Sequence, residues 1–151
     1  MPWLDKYRNI LASRPLQTLA RLVLGGIFIH ASLDKIGHPL EFAKIIGNYR
    51  ILPEFLVTLP ALVLPWVELL CGLLLIAGIW ARSAAWLLSS LLLTFILALA
   101  VNAWRGIDIS CGCFSTSAAD TESAYVLIFR DLLILIPGLL IVFFKRENKD
   151  S

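Results

Sequence analysis

The chain has 151 residues, of which 59% are hydrophobic and only 16% are charged, and its mean hydropathy is +0.83. These values exclude an ordinary soluble domain and indicate an integral membrane protein. The net charge is only +2 and the chain contains no basic run, so the sequence gives no support for nucleic-acid binding.

The first 14 residues have an amphipathic pattern without an apolar stretch long enough for a cleavable signal peptide. Their large apolar and aromatic side chains recur at helical spacing, at Trp3, Leu4, Tyr7, Ile10 and Leu11. The spacing predicts an amphipathic helix that lies flat on the membrane surface. The membrane span that follows is therefore expected to remain in the protein.

Four long apolar segments follow, at about residues 16–36, 58–80, 83–104 and 124–144. Crossing ~30 Å of hydrocarbon takes about 20 apolar residues, so each of these segments is long enough to span a bilayer. Continuous apolar runs indicate helices, because barrel strands would alternate polar and apolar residues. Short connections and the absence of a low-complexity linker predict one all-α domain over residues 1–151, built as a transmembrane four-helix bundle.

A further helix is predicted between the first two spans. Residues 39–50 begin with a proline, which is typical of a first helical turn, and they place Phe42, Ile45 and Ile46 on one face. Pro53 then ends the segment. We expect this helix to be interfacial or re-entrant.

The distribution of Lys and Arg predicts the orientation of the spans. One side of the bundle receives Lys6, Arg8, Arg14, Arg82, Lys145, Arg146 and Lys149, and the other receives Lys35, Lys44, Arg50 and Arg105. The larger group is expected in the cytoplasm together with both termini. The connection between the third and fourth spans would then be extracytoplasmic, and in a bacterial cell that compartment is oxidising.

That connection contains Cys111-Gly112-Cys113, which holds two of the three cysteines of the chain. The intervening glycine permits the tight backbone that a disulfide between these thiols would need. A bond in so small a ring is expected to be strained and prone to exchange. Arg105 lies a few residues upstream, where a cation would favour the reactive thiolate.

The same pair of thiols allows two other interpretations, a soft-metal site and a static disulfide. Two thiols do not complete a tetrahedral zinc site, and redox exchange is the interpretation that the compartment favours. Cys71 lies near the middle of the second span. It is predicted to be a small apolar filler, and its functional alternatives are a relay thiol or a third metal ligand.

Several polar side chains interrupt the spans, and charges at membrane depth are typical of functional sites. With alternating span directions, they all fall in the outer half of the bundle: His30, Asp34, Lys35, Glu68, Asn102, Arg105, Arg130 and Asp131. These polar side chains would lie on the membrane side of the connection that carries the thiols. They are expected to tune the reactivity of the thiols and to move protons. Glu68 is the candidate acid or base because a buried carboxyl tends to hold its proton.

Structural interpretations apply to single members of this set. Lys35 is expected to extend towards the lipid headgroups. His30 is expected to be an interhelical histidine hydrogen-bonded to Asp34, one helical turn away. Arg130 is expected to form an interhelix ion pair with Asp131 or Glu68, and a ligand or catalytic role is its alternative.

Three stretches carry a family resemblance over about residues 20–143: "GGIFIHASLDKIGHPLEFAKIIGNYRILP", "LPWVELLCGLLLIAG" and "RGIDISCGCF", followed by the Arg-Asp pair of the fourth span. They resemble the MauE/DoxX-like family of small four-helix, redox-associated membrane proteins, and the MauE branch most closely. Positions expected to be typical of the family are Lys35, Phe42, Tyr49, Pro53, Glu68, Cys111, Cys113, Arg130 and Asp131. Ser115 departs from the usual glycine.

The resemblance implies a part in extracytoplasmic thiol–disulfide chemistry, beside a thioredoxin-like partner. The sequence therefore predicts a membrane thiol–disulfide oxidoreductase in the bacterial inner membrane, with catalytic residues Cys111, Cys113, Cys71 and Glu68. No cofactor is specified, and a quinone is the one candidate. The alternatives are a carrier of a thiophilic metal or small sulfur compound, and a non-catalytic anchor of a redox complex.

Overall fold

A computed structural model describes residues 1–106 and 124–144 of the chain. Every regular element in these two ranges is an α-helix: α1 (Pro2–Leu11), α2 (Arg14–Gly37), α3 (Pro39–Asn48), α4 (Glu54–Ala77), α5 (Ala81–Trp104) and α6 (Ala124–Phe143). The helices α2, α4, α5 and α6 are long and apolar enough to cross a bilayer. The predicted all-α fold with four membrane spans is confirmed.

The four long helices form an up-down-up-down bundle. Helices α2 and α5 each pack against both α4 and α6, so α2 and α5 lie diagonally opposite each other. Helices α2 and α4 approach most closely at Gly25 and Gly72, where a Cβ atom on Gly25 would lie 2.8 Å from the Gly72 carbonyl oxygen. Small residues at this crossing let the two backbones touch, as is common between membrane helices.

The bounds of α4 differ from the predicted span 58–80. The helix begins at Glu54, directly after the extended Pro53, and Pro60 and Pro65 lie inside it. It ends at Ala77 because Gly78 adopts a left-handed conformation with φ of 77°. Hydropathy alone located the apolar run, whereas the helix start and the glycine cap set the actual ends.

The centre of the bundle is apolar. Its buried side chains come from all four long helices and include Leu24, Leu75, Leu88, Leu92 and Val142. Gly138 of α6 lies against the Ser89 hydroxyl of α5. This apolar part of the bundle is a packing core. The buried charges lie closer to the end of the bundle where α2 terminates.

Helix α3 packs onto the bundle beyond the end of α2. Phe42 is fully buried and belongs, with Ile46, to a cluster that includes Val57 and Ala61 of α4. Ile45 joins a second cluster with Leu99 of α5. The predicted apolar face of this helix is therefore directed at other helices, which fixes α3 as part of the bundle end.

At the opposite end, Gln17 connects three segments. Its Nε2 atom donates hydrogen bonds to the carbonyl oxygens of Leu11, Leu140 and Phe144, at 3.1 to 3.3 Å. The start of α2 and the end of α6 therefore lie together. Helix α1, attached here, buries none of its residues against the bundle.

Candidate functional site

A lysine and a glutamate form an ion pair inside the bundle. Lys35 Nζ lies 2.8 Å from Glu68 Oε2 and 3.0 Å from Oε1, and each side chain is only 1% exposed. Because two charges are buried together, each compensates the cost of desolvating the other.

The direction of the helices explains why these two residues meet. Side chains lean towards the amino end of their own helix. Gly25 faces Gly72 across antiparallel helices, so the Lys35 and Glu68 side chains lean towards each other from different depths. The expectation that Lys35 extends to the headgroups was wrong, because a lysine near the carboxyl end of a helix leans back into the bundle.

Two aromatic rings cover the ammonium group of Lys35. Its Nζ atom lies 5.0 Å from the centroid of the Phe42 ring and 5.6 Å from that of Phe95. Both distances fall within the range of cation–π attraction. The rings therefore stabilise the buried cation.

Asp131 of α6 supplies a third buried charge and is 0% exposed. It interacts electrostatically with Lys35, and its Oδ1 atom lies 3.5 Å from Arg130 Nε. We call Lys35, Glu68 and Asp131 the charged cluster. Together with Phe42 and Phe95, this cluster draws one side chain from each of α2 to α6.

Tyr49, at the end of α3, lies beside the cluster and is 4% exposed. Burial raises the pKa of its phenol, and the negative charge of Asp131 raises this pKa further. The phenol therefore stays protonated at neutral pH.

Asn102 is also buried, at 1% exposure, two residues before α5 ends. Its Nδ2 atom donates to the Ala98 carbonyl oxygen at 2.9 Å, while its Oδ1 atom has no hydrogen-bond partner within the described ranges. Arg105, at the end of α5, is exposed. Asn102 thus lies in the bundle end with the cluster, whereas Arg105 projects from it.

His30 does not join the charged cluster. It is exposed on α2, opposite the buried face formed by Gly25, Phe28 and Ser32. The predicted hydrogen bond from His30 to Asp34 was wrong, since it is His38 Nδ1 that lies 3.6 Å from Asp34 Oδ1. The close contact of α2 with α4 sets the rotation of α2 and turns His30 outward.

The predicted interhelix ion pair exists with a different cation. Glu68 binds Lys35, whereas Arg130 has its close carboxylate contact with Asp131 of the same helix. Arg130 is half-buried with a side chain 38% exposed, and Asp131 is enclosed. The spacing of residues in the sequence did not predict that Lys35, with its long and flexible side chain, would be the partner of Glu68.

Cys71 follows Glu68 by one turn of α4 and is a free thiol at 5% exposure. It packs in the apolar core with Leu75 and Leu92. Cys111 and Cys113 lie outside the described residues. Within residues 1–106 and 124–144, no three His, Cys, Asp or Glu side chains are grouped so that they could hold a metal ion.

Sequence reasoning did not assign a site role to Phe42, Tyr49 or Phe95. Phe42 was named as part of an apolar helix face, and both Phe42 and Tyr49 were named as positions typical of the family. Phe95 precedes Asn102 by seven residues, which places both on one face of α5. That spacing was a usable signal, but nothing in the sequence identified Lys35 as the group that the rings contact.

Four apolar helices that enclose a charged cluster define a multi-pass membrane protein in a lipid bilayer. Residues 13–144 match the sequence model of the family described as methylamine utilisation protein MauE. This match covers most of the chain, so the protein belongs to the MauE family.

Proteins named methylamine utilization protein MauE are similar to this chain in several organisms. The one from Paracoccus denitrificans is 37% identical over 115 residues, which cover 76% of this chain and 61% of the relative. The one from Methylorubrum extorquens is 38% identical over 106 residues, which cover 70% of this chain and 57% of the relative. The chain thus spans about three fifths of the length of these relatives. No solved structure is significantly similar to it.

Proposed function

We propose that this protein is a membrane thiol–disulfide oxidoreductase that serves methylamine utilisation. The observation that carries the proposal is Cys-Gly-Cys at residues 111–113, in the connection between the end of α5 at Trp104 and the start of α6 at Ala124. Membership of the MauE family supports the pathway. The bundle would lie in the bacterial inner membrane with both termini cytoplasmic and this connection extracytoplasmic.

The proposed reaction exchanges two electrons and two protons. A thiolate of the reduced Cys111–Cys113 pair attacks the disulfide of a partner and forms a mixed disulfide with it. The second thiol then closes the protein disulfide and releases the partner as a dithiol. The reverse direction oxidises the partner, and an extracytoplasmic thioredoxin-like protein has the chemistry needed for either direction.

Arg105 supports the chemistry at the thiols. Its side chain is exposed beyond the last turn of α5, on the segment that leads into the Cys-Gly-Cys connection. A nearby cation favours the thiolate over the thiol, and the thiolate is the nucleophile in exchange.

The charged cluster supports the movement of protons. Asp131 is the eighth residue of α6, which places it about 10 Å along the helix from the start of α6. Glu68 and Asp131 are carboxyl groups that can take up the two thiol protons and pass them on to the thiolates of the partner, which leaves as a dithiol. Lys35 compensates the charge of Glu68, and Phe42 and Phe95 cover its ammonium group.

Exchange can be tested on the purified full-length chain in lipid nanodiscs. The oxidised protein is incubated with reduced glutathione, and free thiols are followed by alkylation and mass spectrometry. We expect rapid exchange in the wild type and in Cys71→Ala, and none in the Cys111→Ser, Cys113→Ser double variant. Undiminished exchange in the folded double variant would remove the proposal.

A further inference from the structure

We propose that the outward face of α2 is the contact surface of a symmetric dimer of this chain. Six exposed residues form one continuous seam along the helix: Leu19, Val23, Gly26, His30, Leu33 and Gly37. Their separations alternate between four and three residues. This heptad spacing is the pattern by which two helices pack along a shared seam.

The composition of the seam distinguishes it from an ordinary lipid-facing surface. An imidazole facing hydrocarbon is costly, and ionisable side chains in spans almost always face protein. His30 nevertheless lies exposed within the α2 span, and no hydrogen bond or ion pair involves it in the part of the chain that the structure describes. A helix from outside the bundle would remove His30 from the lipid.

Gly26 provides the close approach that such a contact requires. A Cβ atom added to Gly26 would meet no atom within 4 Å, so the fold of the bundle does not require glycine there. The neighbouring Gly25 is different, because its added Cβ would collide with α4. An open glycine one turn from an exposed histidine lets a second backbone come near the His30 ring.

A second copy of the chain fits this surface better than an unrelated helix. Two copies insert into the membrane in the same orientation, so their α2 helices run parallel and bring equal depths together. His30 then meets His30 of the other copy at the two-fold axis. A neutral imidazole has one donor and one acceptor nitrogen, so the two identical side chains can hydrogen-bond to each other.

The test counts subunits of the fluorescently labelled full-length chain in phosphatidylcholine vesicles by single-molecule photobleaching. We expect mostly two bleaching steps for the wild type. Gly26→Leu should weaken dimerisation by about tenfold or more by separating the helices, without disturbing the protomer. Ala100→Leu adds bulk to an exposed position of α5, diagonally opposite α2, and should leave the dimer intact.

A crosslink locates the contact. In a Cys71→Ala, Cys111→Ser, Cys113→Ser background, His30→Cys should form an intermolecular disulfide on mild oxidation, and Ala100→Cys should not. Single-step bleaching of the wild type would overturn the proposal. A dimer that survives Gly26→Leu, or that crosslinks at position 100 rather than position 30, would equally overturn it by locating the interface elsewhere. None of these readouts depends on thiol exchange by the native cysteines.

Discussion

At the scale of single residues, Lys35 and Glu68 depend on each other because neither side chain reaches solvent. The pair lies 1% exposed within the spans, with two aromatic rings over the lysine. Removing one charge leaves the other buried without its partner, whereas removing both leaves a neutral interior. The arrangement therefore predicts strong coupling between the two positions.

Replacing Lys35 with Met should reduce the free energy of unfolding by about 3–5 kcal/mol, the usual cost of breaking a buried ion pair. The Lys35→Met, Glu68→Met double variant should lose less than the sum of the two single variants. Reversible unfolding of the chain in detergent micelles measures both. The exposed Lys44 provides a control, since Lys44→Met should leave stability unchanged. Additive losses at positions 35 and 68 would show that the pair is not coupled.

Cys71 belongs to the same helix face as Glu68 but packs in the apolar core. We predict that Cys71→Ala keeps the exchange rate of the Cys111–Cys113 pair within about twofold, with a cavity cost of about 1 kcal/mol or more in stability. Thiol alkylation kinetics in nanodiscs compare the variant with the wild type. If Cys71 of the wild type were trapped in a disulfide with Cys111 or Cys113, Cys71 would instead be a relay thiol.

Residue-scale inference from sequence located the polar positions but not their contacts. The sequence placed Glu68, Asp131 and Asn102 in one half of the bundle, because charges and amides in apolar runs are conspicuous, and the structure buries all three side chains. The partner of Glu68 was missed because the sequence prediction did not take into account that the Lys35 side chain leans back along α2, towards the amino end of the helix. His30 was misplaced since the rotation of α2 depends on its contact with α4.

At the scale of helices, the crossing of α2 and α4 depends on two glycines. Gly25→Ala should destabilise the protein by about 1–3 kcal/mol, because the added Cβ would lie 2.8 Å from a backbone oxygen of Gly72 that cannot move independently. Gly26→Ala is the matched control and should have no destabilising effect in monomeric micelles. Unfolding midpoints of the two variants would be compared, and equal stabilities would contradict the assigned crossing.

The lengths of the helices were largely predictable because long apolar runs must form helices in a bilayer. The two ends of α4 were less predictable from hydropathy. Pro53 and Gly78 determine where this helix begins and ends, although apolar residues continue beyond Gly78. The apolar face of α3 was also predicted. Its burial against α4 and α5 could not be, because a face of this kind fits a membrane surface and a protein surface equally well.

At the scale of the whole molecule, the hydrogen bonds of Gln17 bring the start of α2 and the end of α6 to one end of the bundle. We predict that this end is cytoplasmic. A green fluorescent protein fused to the carboxyl terminus should fluoresce, and alkaline phosphatase at the same site should be inactive. Active phosphatase at the carboxyl terminus would show that the orientation is the reverse of the predicted one, with Cys111 and Cys113 in the cytoplasm.

The four-span bundle followed from hydropathy, and the gathering of polar groups at one end followed from the alternating directions of the spans. The joining of five helices around Lys35 did not follow, because it depends on where side chains lean within antiparallel pairs. The connection with Cys111 and Cys113 lies outside the described residues. The interpretation of these thiols therefore remains a prediction from sequence chemistry and family membership.

The most direct test of the redox proposal is an equilibrium titration of the purified Cys71→Ala chain against glutathione buffers, with Cys111 and Cys113 quantified by alkylation and mass spectrometry. The account predicts that both thiols oxidise together as one two-electron couple, with a slope of about 30 mV per tenfold change in ratio and a potential above about −300 mV. Two thiols that stay reduced in every buffer, or that titrate independently of each other, would contradict it.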